Sequence, residues 1–250
     1  MDGELFQTLR GLITVGLVLL LVMLRLDAER FGAAEYDEAS RDGHMPSFRR
    51  RMAWYILGVG LVLAILFVHP APDVDLFLGS GDRIAALIGG MLFAIIGSGQ
   101  AVAFAWLRYK HLRLPEVASY PGALVNSLAT AFIDEAAYRG ALFGILLWTG
   151  VGATTANVLQ AIIYALSTRL GAPGRDRYML VLALLIGLAG GWLTAWTGGI
   201  AAAFLGHAVT RFAVFLCTGH AGQVALRGRE TEDIERRRRP PDGWRIIGSR

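Results

Sequence analysis

The sequence predicts an all-α fold: a polytopic transmembrane helix bundle of about seven helices. Three observations carry that prediction. The 250-residue chain is 54% hydrophobic and only 18% charged, with a mean hydropathy of +0.49, as expected of a multi-pass membrane protein rather than a water-soluble domain. Seven apolar runs, near residues 5–25, 52–69, 84–107, 122–148, 151–168, 178–197 and 199–217, are long enough or nearly so to cross a hydrocarbon core of about 30 Å. Loops rich and poor in arginine alternate between them.

The first run is the weakest. Gln7 and Arg10 leave it unbroken only from Gly11 to Leu24. Its acidic start, Met1-Asp2-Gly3-Glu4, and the lack of a small-x-small site directly after it favour a retained helix over a signal peptide. Arg10 and Arg25 are then expected to snorkel to the two interfaces. The segment Asp27 to Arg51 mixes acids and bases and is expected to be a short cytoplasmic helix or a mobile connection. It holds Arg30, Arg41, Arg49, Arg50 and Arg51, whereas the next loop has little beyond Arg83. The third loop holds Arg108, Lys110 and Arg113, the fifth Arg169, Arg175 and Arg177, and the fourth and sixth no basic residue. The positive-inside rule therefore expects the N-terminus outside and the C-terminus inside. Trp54 and Trp106 fall at inner ends and Trp148 and Trp196 at outer ends, as an aromatic belt requires.

The organisation expected is one transmembrane domain over residues 1–217, followed by a basic, disordered cytoplasmic tail over 218–250. Pro240-Pro241 would break any helix there, and Arg236 to Arg239 either serve topology or lie against anionic lipid. Ala136, Gly140 and Gly144, and likewise Gly187 and Gly191, form small-residue stripes that allow close helix approach. The lone Cys217 excludes an internal disulfide and a cysteine metal cluster. The pI near 9.6 follows from the topological arginines, so the partner expected is the lipid bilayer and not nucleic acid. Lys110 is the one lysine, a bias that points to a GC-rich bacterial genome and hence to the bacterial inner membrane.

Function must lie in the polar groups that interrupt the apolar runs. An ionised side chain at bilayer depth costs roughly 2.5–3.5 kcal/mol on insertion scales, and Asp134, Glu135 and Arg139 lie within six residues of one another. At helical spacing Asp134 shares a face with Tyr138, and Glu135 with Arg139. The seventh run adds His207 and Arg211 one turn apart, and the fifth adds Asn157, Gln160, Tyr164, Thr168 and Arg169. Two acids against Arg139 and Arg211 suggest that Glu135 pairs with Arg139 and Asp134 with Arg211. Such pairs can fix register without chemistry. A metal site is disfavoured, because two guanidinium groups would oppose a divalent cation and no second intramembrane histidine is present.

The segment Asp134-Glu135-Ala136-Ala137-Tyr138-Arg139-Gly140 resembles the first motif of the CPBP family, the CAAX-prenyl-protease and bacteriocin-processing intramembrane proteases. That motif reads Glu-Glu, three residues, Arg. Gly187 to Gly199 is similar to the family's penultimate core helix and turn, and Ile200 to His207 to the approach to its third motif, His-x-x-x-Asn. Tyr164-Ala165-Leu166-Ser167-Thr168 stands where the second motif, Phe-x-x-x-His, belongs. The resemblance spans about residues 122–217.

It implies a catalytic set of Asp134, Glu135, Arg139, Thr168, His207 and Arg211; no cofactor is expected, and a metal is disfavoured on the charge argument above. Three of these depart from the family pattern. Asp134 replaces the first glutamate, Thr168 the second-motif histidine and Arg211 the third-motif asparagine. An acid withdrawn by one methylene is misplaced on a scale, about 1 Å, that can cost on the order of 10²-fold. A lost histidine removes an acid–base contribution typically worth about 10²–10⁴. Three readings follow: a non-proteolytic relative that binds or matures membrane-protein or peptide partners, an active endopeptidase with a rearranged site, or a transporter that relays protons through the buried acids. Residues closed into salt bridges would favour the first, an open cavity the second, and a path through the bilayer the third.

Overall fold

The computed structural model describes residues 3–33, 48–110, 112, 120–168, 177–219, 228, 229 and 231. The regular elements among these residues are all helical, with no strand among them. The helices are α1 (Gly3–Leu26), α2 (Phe48–Val68), α3 (Arg83–Tyr109), α4 (Tyr120–Asp134), α5 (Phe143–Trp148), α6 (Ala153–Ser167), α7 (Arg177–Thr197) and α8 (Ala201–Thr218). A π-helical stretch, Glu135–Leu142, joins α4 to α5. Helical backbone angles persist at both junctions, so α4, the π stretch and α5 form one rod. The seven predicted runs thus become seven rods, and the protein is a multi-pass helical membrane protein.

Five of these rods, α1, α2, α3, α7 and α8, are by themselves long and apolar enough to cross a membrane. The other two carry polar groups. At 1.5 Å per residue the 15 residues of α6 span only about 22 Å, less than the hydrocarbon core. The α4–α5 rod carries the acids. These two depend on their neighbours, because only protein can satisfy polar groups at that depth.

Small residues set the packing. The most extensive helix contact is between α3 and α8. It is allowed by Gly97, where a Cβ would collide with Thr210, and by Gly206, where one would collide with Phe93. Gly187 and Gly191 of α7 face α6, against Ala161 and the Asn157–Gln160 pair respectively, as close helix approach requires. Asn157 Nδ2 donates to Leu188 O at 3.1 Å and Gln160 Nε2 to Gly187 O at 2.9 Å. The other expected stripe behaves differently. Gly140 and Gly144 receive the α2–α3 connection, Leu76 and Leu78 above the first and the Asp75 backbone above the second, rather than a helix. That connection is tied down where Ile200 N donates to Phe77 O and Gly79 O, and Asp82 N to Thr197 O at 2.7 Å. It closes one end of the bundle over the π stretch.

Two interfacial expectations are corrected. Trp54 is not in an aromatic belt: it is fully buried and its indole donates to Leu24 O at 2.9 Å. Arg25 does not snorkel, being buried among helices. Arg10 is half-buried and its Nε donates to Val68 O at the end of α2. Trp106, Trp148 and Trp196 are exposed on the bundle surface. The segment 27–51 begins with a 3₁₀ turn, Ala28–Phe31, closed by Gly32 in the left-handed region at φ 69°. Residues 34–47 and the arginine run 236–239 lie outside the described residues.

Candidate active site

The acidic motif lies on the π stretch and the last residue of α4. π-Helical turns are rare and concentrate at functional sites. Here the side chains at 136, 137, 140 and 141 are no larger than methyl, and the wider turn is packed from outside by Leu76, Leu78 and Ile200 near Gly140. Glu135 and Arg139 still meet, with Arg139 Nη1 at 3.4 Å from Glu135 Oε1 and both side chains fully buried.

The seventh rod, α8, brings His207 to the same carboxylate. Its Nδ1 lies 2.7 Å from Glu135 Oε1. The imidazole also sits edge-on to Tyr164, centroids 6.3 Å apart, and Tyr164 in turn faces Arg139, whose guanidinium carbon stands 3.9 Å from the ring centroid. A desolvated cation over an aromatic face is worth about 2 kcal/mol. Tyr164 therefore bridges His207 and Arg139. Its neighbour Tyr138, 5.2 Å away centroid to centroid, donates its hydroxyl to Ser167 Oγ at 2.7 Å. The short α6 ends there, which places Ser167 level with the π stretch.

Gly190 of α7 lies against the opposite side of the pair. A Cβ there would stand 3.2 Å from Arg139 Nε and 3.4 Å from Glu135 Oε2. Neither Glu135 Oε2 nor the guanidinium nitrogens of Arg139 make a hydrogen bond among the described residues.

Asp134 has a partner the sequence did not identify. Arg25 of α1 places its Nε 3.1 Å from Asp134 Oδ1, with side chains 1% and 0% exposed. Arg211, expected at Asp134, reaches α4 at Asn126, Nη2 donating to Oδ1 at 3.3 Å. Asn126 lies eight residues before Asp134, about 12 Å along a helix. The end of α1 lies beside the π stretch, which brings Arg25 to Asp134, and Arg211 sits one turn beyond His207 on α8.

Thr168 lies at the end of α6, buried, its hydroxyl donating to Ala165 O at 2.6 Å. Of the six residues singled out, Glu135, Arg139 and His207 thus meet directly. Asp134, next in sequence to Glu135, pairs with Arg25, Arg211 bonds to Asn126, and Thr168 bonds to its own helix. Arg25, Asn126 and Ser167 complete the polar cluster. No group of three or more histidine, cysteine or carboxylate side chains suited to a metal occurs among the described residues.

Residues 116–213 match the family model described as Rce1-like, type II CAAX prenyl endopeptidase. The matched segment contains every one of these residues except Arg25, and it overlaps the span in which the CPBP motifs were recognised. No curated protein and no solved structure matches the chain.

Proposed function

We propose that this Rce1-like membrane protein uses its family's bundle to bind a membrane-protein or peptide partner and does not itself cleave. One observation carries the reading: both acids of the first motif are engaged inside the protein. Asp134 faces Arg25, Glu135 faces Arg139 and His207, and all five side chains are buried. A general base must come within about 2.6–3.2 Å of the water it activates. The guanidinium of Arg25 occupies that shell around one oxygen of Asp134. Threonine at 168 supplies no second imidazole.

A second reading is an endopeptidase in which Glu135 activates water, His207 orients it and Arg211 stabilises the oxyanion. What favours it is the 2.7 Å contact between His207 and Glu135, which leaves the second carboxylate oxygen without a hydrogen bond among the described residues. Incubating the purified protein in lipid with prenylated and unmodified membrane peptides decides between them. The binding reading expects retention of intact peptide, and the hydrolase reading expects fragments that vanish in a Glu135→Gln variant.

A further inference from the structure

We propose that Arg25 is a positioning residue that locks α1 onto the acidic motif as a charge partner of the Asp134 carboxylate. It lies outside the matched segment 116–213. Its guanidinium is nevertheless buried, 3.1 Å from Asp134 Oδ1. An arginine at the end of a transmembrane helix ordinarily extends to the interface, so its inward course requires a cause, and the carboxylate supplies one.

The end of α1 is built to hold that course. Trp54, fully buried, donates its indole N–H to Leu24 O, the residue before Arg25. Beyond it Gly32 turns the chain in the left-handed region, and its N–H bonds to Glu29 O at 3.0 Å. Arg51 Nε donates to Gly32 O at 3.0 Å, joining this turn to the start of α2. α1 touches α2, the π stretch and α6, yet most of its surface faces outward. A helix so lightly held by apolar contact depends on its polar anchors. The consequence is directional: displacing α1 withdraws the Arg25 guanidinium from Asp134, and restoring α1 returns it. The site's first acid is therefore coupled to the docking of a helix that the rest of the family-like core does not contain.

The inference rests on the reading above, because it explains what keeps Asp134 from serving as a base. Its test reads labelling rather than cleavage, so the two can fail separately. Dicyclohexylcarbodiimide reacts with protonated carboxyl groups in apolar surroundings, and fragment mass spectrometry separates adducts at Asp134 from those at Glu135. The protein in lipid should label weakly at Asp134, as should Arg25→Lys, which keeps the charge. Arg25→Met keeps the length and loses the charge, and should label several-fold more strongly. Equal labelling of the Lys and Met variants would make Arg25 a space-filler and overturn the lock. If Arg25→Met does not fold, Arg25→Met with Asp134→Asn decides: recovered folded yield supports the lock, and no recovery overturns it.

Discussion

His207 Nδ1 and Glu135 Oε1 lie 2.7 Å apart although 72 positions separate the two residues. Arg139 approaches the same oxygen at 3.4 Å. One carboxylate oxygen thus draws α8 and the π stretch together, and the pair is buried. Removing a single member of such a set is costly, since the others keep their buried charge, by about 3–5 kcal/mol. Glu135→Ala should therefore lower the unfolding midpoint in detergent sharply. Glu135→Ala with Arg139→Ala should recover part of the loss, and equal midpoints for the two would refute the coupling.

Tyr164 should separate ring from hydroxyl. Its ring faces Arg139 at 3.9 Å, an interaction worth about 2 kcal/mol when desolvated. Tyr164→Leu should destabilise the protein by that order, and Tyr164→Phe by less. The measurement is thermal unfolding in one detergent, and a Phe variant as weak as Leu would assign the stability to the hydroxyl.

The α6–α7 contact depends on Gly191. A methyl there would collide with Asn157 Oδ1 and Gln160 Nε2, and overpacking of this kind costs about 1–3 kcal/mol. Gly16 on α1 has open space around its Cβ position. Alanine there should be neutral or stabilising, since mid-helix glycine costs about 0.5–1 kcal/mol relative to alanine. Paired unfolding curves for Gly191→Ala and Gly16→Ala should shift in opposite directions or by clearly different amounts.

The alternation of arginine-rich and arginine-poor loops predicts the N-terminus outside and the C-terminus inside. Reporter fusions after Arg113 and after Arg177 should read cytoplasmic, and one after Trp148 should read external. An external signal at either arginine loop would invert the topology.

Hydropathy made the seven rods legible because burial in lipid imposes one long apolar run per crossing. The first motif was legible for the opposite reason: Asp134, Glu135 and Arg139 are too costly in lipid to stand without partners. The pairing of Glu135 with Arg139 was legible from their shared helix face, but Arg25 as a partner of Asp134 was not. Counting charges inside the predicted runs balances two acids against Arg139 and Arg211 and leaves Arg25 at an interface. The structure turns Arg25 inward because Trp54 and the Gly32 turn fix the end of α1 beside the π stretch. Arg25 looks in sequence like any arginine that closes an apolar helix, so no local signal marked it. The stripe of Gly140 and Gly144 misled in a similar way. Small residues announce close approach, but not whether a helix or, as here, the α2–α3 connection makes it.

Proteolysis measured on the restored site bears most directly on the binding reading. The protein as it stands and an Asp134→Glu, Thr168→His, Arg211→Asn variant would be placed in the same vesicles with the same labelled membrane peptides, and fragments followed by mass spectrometry. No cleavage by the former and Glu135-dependent cleavage by the variant is the predicted outcome. Cleavage by the unaltered protein that disappears with Glu135→Gln would contradict it.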